Sequence, residues 1–126
     1  MGAPLRVLII DDNEAVRMIL TDMLTGMGHQ VVAEADCAED AQKAYLRHKP
    51  DLVTLDLSLS AVGGGDGLTV LKAIQGIDSR AKVIVVSGNA QNKVKAAIEA
   101  AGASAFVAKP IGEAEFAAAV AKAIAS

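Results

Sequence analysis

The chain predicts an α/β fold, a doubly wound five-stranded parallel sheet of order 2-1-3-4-5 flanked by five helices. Short apolar runs rich in β-branched residues recur along it, and each is followed by a stretch with helical periodicity. Strict alternation of strand and helix requires a mostly parallel sheet, covered on both faces through right-handed crossovers. The length, 126 residues, suits one such domain with a core of its own.

Leu5 to Ile10 (LRVLII) is a nearly continuous apolar run that stops at Asp11 and Asp12, the pattern of a buried strand. Val16, Leu20, Met23, Leu24 and Met27 then recur at helical spacing, and Gly28 supplies the stop. Gln30 to Glu34 forms a short second strand. Asp36 followed by Glu39 has the spacing of a capping box, starting a helix that runs towards Lys49 and is ended by Pro50. Asp51 to Leu55 is the third strand, Leu68 to Ile74 the third helix, and Lys82 to Val86 the fourth strand. Val94 to Ala101 belongs to a fourth helix capped by Gly102. Ala105 to Ala108 makes the fifth strand, and Phe116, Val120, Ala123 and Ile124 mark the apolar stripe of the last helix.

Hydrophobic residues make up 52% of the chain and aromatic residues only 2%, so the core must be built from aliphatic side chains. Apolar runs are short and broken by charge, which excludes membrane insertion by a spanning helix. The segment from Met1 to Arg6 lacks the pattern of an export signal, and Cys37 is the single cysteine. Together these predict a cytoplasmic protein. The net charge is −3 and the basic residues are scattered, so direct nucleic-acid binding is not expected. Residues 1–126 read as one unit with no output domain, and His29 and His48 as surface or loop residues.

In a parallel sheet all strands end on one edge, where residues distant in sequence converge. Asp11 and Asp12 follow the first strand, Asp56 the third, Ser87 the fourth and Lys109 the fifth. Taken singly, each has a plainer reading as a helix cap, a turn residue or a solvated lysine. Jointly they describe a site at the crevice where this architecture binds ligands. Three adjacent carboxylates repel one another unless a cation neutralises them. An all-oxygen set without His or Cys points to magnesium rather than zinc. Asp56, standing alone at a strand end, is the candidate nucleophile towards phosphorus, and the Asp11-Asp12 pair the candidate metal cradle.

The segments VLIIDDN (Val7 to Asn13), PDLVTLDL (Pro50 to Leu57), VIVVSGNA (Val83 to Ala90) and GASAFVAKP (Gly102 to Pro110) resemble, in combination and in order, the receiver domain of two-component response regulators. The likeness covers essentially the whole chain and is greatest to the free-standing CheY-like type, which the doubly wound fold class includes. It implies that Asp56 is the phosphoacceptor and that magnesium is held by Asp12, by Asp56, by Asp11 through water and by the backbone carbonyl of Ser58. Ser87 and Lys109 would hold phosphoryl oxygens, and the Lys109-Pro110 peptide would be cis. Phe106 would be the switch aromatic, moving with Ser87 on phosphorylation and acting through packing alone because it has no hydroxyl. A sensor histidine kinase or histidine phosphotransfer protein would supply the phosphoryl group. A downstream protein target would read the face made by the fourth helix, fifth strand and fifth helix, including Lys93, Lys95, Glu99, Glu113 and Lys122.

The departures lie after Asp56. Leu59-Ser60 replaces the usual Met-Pro of the family, and the Asp66-Gly67-Leu68 match arrives late through extra residues around Gly63 to Gly65, predicting a longer and more mobile loop. Ser58 and Asn89 occupy the positions that tune phosphoryl lifetime in the family. A phosphohydrolase resembling the haloacid dehalogenases lacks its Asp-x-Asp-x-Thr signature here, since Asp56 is followed by Leu57-Ser58-Leu59-Ser60. A flavodoxin-like carrier of FMN needs a phosphate-binding loop after the first strand, where Asp11 and Asp12 would repel the phosphate.

Overall fold

The computed structural model describes residues 4–59, 65–88 and 91–125. Ser60, Gly63 and Asn89, which figured in the sequence reading, lie outside the described residues.

Strands and helices alternate as β1 (Arg6–Ile10), α1 (Glu14–Gly26), β2 (Gln30–Ala35), α2 (Ala38–His48), β3 (Leu52–Asp56), α3 (Gly67–Ile77), β4 (Val83–Ser87), α4 (Asn92–Ala100), β5 (Ala105–Ala108) and α5 (Glu113–Ala125). The strands form one parallel sheet in the order β2-β1-β3-β4-β5. Because side chains alternate across a strand, the sheet divides the core in two. Leu8, Ile10, Val53, Leu55, Val83 and Val85 pack with α2, α3 and α4 on one face. Val7, Ile9, Leu52, Ile84 and Val107 pack with α1 and α5 on the other, around the fully buried Phe116. Strands covered on both faces account for the continuous apolar runs of β1, β3 and β4.

Several boundaries differ from the sequence reading for identifiable reasons. Asp56 and Ser87 are the last residues of β3 and β4, not the residues after them. Polar residues disfavour strands in general, but here the ladder continues through the pairs Asp56↔Val86 and Ser87↔Ala108. The capping box at Asp36 does not form. Helix α2 begins at Ala38, with Cys37 as an N-cap that makes no side-chain hydrogen bond. Its C-terminal reversal is made by Lys49, at φ 46°, rather than by Pro50. Ile124, expected in the apolar stripe of α5, is 51% exposed, because the buried face runs through Phe116, Ala119, Val120 and Ala123.

Helix α1 is capped by Asn13, whose Oδ1 accepts from the N–H groups of Ala15 (2.9 Å) and Val16 (3.3 Å). Helix α3 is capped by Asp66, whose carboxylate accepts from the N–H and hydroxyl of Thr69, lowering the pKa of Asp66 below the usual value. Gly67, the first residue of α3, lies directly against the backbone at the end of β3. A Cβ there would meet the backbone carbonyl oxygens of Asp56 and Leu57 at 2.6 Å.

Candidate functional site

The strand order puts the carboxyl end of β1 beside that of β3, so Asp11, Asp12 and Asp56 meet although 45 residues separate the first from the last. Carboxylate oxygens from all three lie within 4.8 Å of one another. Asp11 and Asp56 are buried and Asp12 is exposed, so the cluster opens to solvent on the side of Asp12. Because Asn13 is the N-cap of α1, the plainer reading of Asp11 or Asp12 as that cap does not hold.

Asp11 is held from several directions. Its N–H donates to the Ala35 carbonyl (3.0 Å), its Oδ1 accepts from the N–H of Asn13 (2.8 Å), and its own carbonyl accepts from Arg17 Nη1 (2.7 Å). Its Oδ2 is buried without a hydrogen-bond partner. Burial raises the Asp11 pKa above the ordinary carboxylate value, the Asn13 N–H works against that rise, Asp56 adds to it, Lys109 opposes it and Asp12 adds to it.

At the end of β3, Asp56 Oδ1 accepts from both the N–H (3.0 Å) and the hydroxyl (2.8 Å) of Ser58. The Ser58 hydroxyl is a contact that periodicity could not reveal, since the path of the chain after β3 sets it. Lys109, following β5, brings its Nζ to 3.4 Å from Asp56 Oδ1 and 3.6 Å from Asp11 Oδ2. The next peptide, Lys109-Pro110, is cis. Ser87 closes β4, one strand away from Asp56, and is 3% exposed. His29 and His48 lie elsewhere, as expected: His29 Nδ1 accepts from the Leu5 N–H, and the His48 carbonyl from Arg6.

Three carboxylates face a single ammonium in this cluster, leaving two negative charges to be balanced. An all-oxygen donor set with a buried, unpartnered carboxylate oxygen fits a hard divalent cation. Asp56 stands there beside Lys109, a cationic group placed to neutralise charge on an incoming anion.

On β5, two residues before Ala108, Phe106 is partly buried with the ammonium of Lys95 5.2 Å from its ring centroid. Together with Ile98, Ala103, Ala119, Glu99 and Lys122 they line a groove of ≈ 600 Å³ between α4 and α5. Of the charged residues expected on this face, Lys95, Glu99 and Lys122 line the groove, whereas Lys93 and Glu113 do not. Among the described residues, no helix is long and apolar enough to cross a membrane.

The solved CheX-CheY-BeF3-Mg+2 complex of Borrelia burgdorferi contains a chain similar in structure to this one, with TM-score 0.91 and 30% identity, covering 98% of this chain and 91% of that one. The response regulator domain of Thermotoga maritima CheB is also similar, with TM-score 0.85 and 25% identity over 98% of both chains. In sequence, the chemotaxis protein CheY of Bacillus subtilis is 40% identical over 105 residues, 83% of this chain and 85% of that protein. CheY of Thermotoga maritima is 39% identical over the same shares of the two chains. Residues 7–121 match the family described as the response regulator receiver domain. With that match over most of its length and these relatives beside it, the chain belongs to the receiver domains of two-component response regulators and is of the CheY-like kind.

Proposed function

We propose that the protein is a phosphoacceptor: a sensor histidine kinase or histidine phosphotransfer protein transfers a phosphoryl group to Asp56, with Mg2+ bound at the acidic cluster, and the modified protein changes its affinity for a protein target. The observation that carries this reading is the meeting of Asp56 and Asp11 Oδ2, which accepts no hydrogen bond, around the Lys109 ammonium at one sheet edge. Asp12 and Asp56 would ligate the ion directly, Asp11 through water, and Ser58 through its backbone carbonyl. When bound, the ion would neutralise charge on the transferring group.

In this reading the chain's own residues divide the work. A carboxylate oxygen of Asp56 attacks phosphorus, the bond from phosphorus to the donor breaks, and the donor nitrogen leaves with the bonding electron pair. The Ser58 hydroxyl and N–H, both bonded to Asp56 Oδ1, fix the carboxylate's orientation. Lys109 and Ser87 hold phosphoryl oxygens, and Lys109 already stands within ion-pair distance of Asp56.

Residues 1–126 act in this proposal as one receiver unit in the cytoplasm, whose output passes through a protein partner. The responding face is the groove between α4 and α5, with Phe106 as the switch residue between it and Ser87. The phosphoryl group must favour one of two conformations, and near-complete switching takes about 5.5 kcal/mol of differential stabilisation. The module is a signalling device that assists its own phosphorylation, not a turnover enzyme.

Intact-mass measurement after incubation with a small acyl phosphate and magnesium tests the proposal, alongside Asp56→Asn and a chelator control. One phosphoryl group added to the parent chain, absent from Asp56→Asn and abolished by chelation, is the expected result. Equal labelling of Asp56→Asn would overturn the assignment of the acceptor.

A further inference from the structure

Arg17, on the second turn of α1, makes two contacts at once. Its Nη1 donates to the Asp11 carbonyl at 2.7 Å, and its Nε donates to Glu34 Oε1 on β2 at 3.0 Å. Its side chain is 18% exposed, whereas that of Glu34 is 48% exposed, so the guanidinium is enclosed beside the sheet and is aimed by an acid at the rim. The planar fork of arginine serves both acceptors in one fixed orientation, whereas a lysine ammonium is a point charge without that geometry.

The Asp11 carbonyl belongs to the peptide unit that joins Asp11 to Asp12. Because that unit is planar, fixing the carbonyl fixes the direction in which the chain leaves towards Asp12. The N–H of Asp11 is tied to Ala35 and its Oδ1 to Asn13, so the Arg17 contact completes the restraint of the residue and leaves Oδ2 without a hydrogen bond, facing the Lys109 ammonium at 3.6 Å. Asp12 is exposed and has no comparable set of ties among the described residues; the peptide that precedes it is what holds it.

We infer that Arg17, held in orientation by Glu34, is a positioning residue for the divalent cation site, presetting the Asp11-Asp12 peptide so that both carboxylates face the ion. The inference rests on the proposal that Asp11 and Asp12 hold Mg2+.

Its sign separates it from simple electrostatics. A fixed positive charge near a cation site weakens binding by Coulomb repulsion, so removing it should strengthen the binding of magnesium. Loss of a positioning contact weakens it instead, by about tenfold or more for groups that orient metal ligands.

Magnesium binding measured by calorimetry on the unphosphorylated chain, with the magnesium-induced rise in thermal midpoint as a second readout, decides between them. Arg17→Met keeps the aliphatic stem and removes the donors, and should bind magnesium about tenfold more weakly. Arg17→Lys keeps the charge but not the fork, and should also bind more weakly. Glu34→Gln retains an oxygen acceptor and should stay close to the parent chain, whereas Glu34→Ala should follow Arg17→Met. A purely Coulombic role would instead make the two Glu34 variants equivalent. If Arg17→Met binds as tightly as the parent or more tightly, the inference is wrong; if that variant does not fold, Arg17→Lys is judged by the same comparison. Absence of Asp12-dependent magnesium binding in the parent chain would remove the metal-site reading itself, and the inference with it.

Discussion

Thr54 and Asp11 are two buried polar residues whose side chains each keep an oxygen without a hydrogen bond, and they differ in what that oxygen faces. Asp11 Oδ2 looks onto Lys109 and the acidic cluster, where a cation can satisfy it. Thr54 lies one strand repeat below Asp56, in register with Ile9 and Ile84, with an aliphatic core around it. A buried hydroxyl without a partner costs about 1–3 kcal/mol, so the near-isosteric Thr54→Val should stabilise the protein by about 1 kcal/mol in urea unfolding. No stabilisation would mean that the hydroxyl has a use in the native state. Asp11 makes a prediction about pH. Its native pKa is raised above the unfolded value of 3.8, chiefly by burial, so in the metal-free protein its ionisation opposes folding. That cost is fully present above the native pKa and is relieved as the pH falls through it. Metal-free Asp11→Asn should therefore be more stable than the parent at neutral pH, and thermal unfolding should show the gap closing as the solution is acidified. These atomic contacts are also what the sequence revealed least. An arginine on an amphipathic helix looks like part of a solvated face, and neither the tie from Arg17 to Asp11 nor the bond from the Ser58 hydroxyl to Asp56 follows from spacing.

The elements themselves were largely legible. Aliphatic runs gave every strand, with ends displaced by one residue: Leu5, Asp51 and Lys82 fall outside the strands and Ala35 inside, while at the ends that matter for the site the ladder takes in the polar Asp56 and Ser87. Helix starts were read less well. Asp36 had the right spacing for a cap, but Cys37 takes the N-cap position of α2, and the side-chain caps that do form are Asn13 and Asp66. Gly67 belongs to this scale, because it lets α3 begin directly against the backbone of β3. Gly67→Ala would push a methyl group into the Asp56 and Leu57 carbonyls, and since backbone cannot step aside as a side-chain tip can, it should cost about 1–3 kcal/mol. The same displacement moves Asp56, so slower labelling by acyl phosphate should accompany the lower thermal midpoint. A loss of stability with unchanged labelling would show that the start of α3 and the acceptor are independent.

At the scale of the whole molecule, convergence was predictable because topology alone dictates it. Once five strands are parallel in the order 2-1-3-4-5, residues at the ends of β1, β3, β4 and β5 must share an edge. The sequence could name the site members without showing which atom of each is engaged.

The scarcity of aromatic residues, first met as a constraint on the core, makes the protein easy to observe. It has one tyrosine, two phenylalanines and no tryptophan. Their rings occupy separate districts: Tyr45, on the buried face of α2, has Asp78 beside its hydroxyl, Phe116, on α5, is buried in the core cluster shared with α1 and the sheet, and Phe106 lies under Lys95 in the groove. An aromatic proton spectrum of this chain therefore contains three Tyr and Phe spin systems, each reporting on one region without isotopic labelling, beside the imidazole singlets of His29 and His48. On addition of beryllofluoride and magnesium, the switch proposed above moves the Phe106 ring from its place under the Lys95 ammonium, so its resonances should shift most, while those of Tyr45 should stay nearly fixed. The aliphatic core thus leaves the aromatic region sparsely populated, so that the proposed movement of Phe106 can be followed as a single ring among few others.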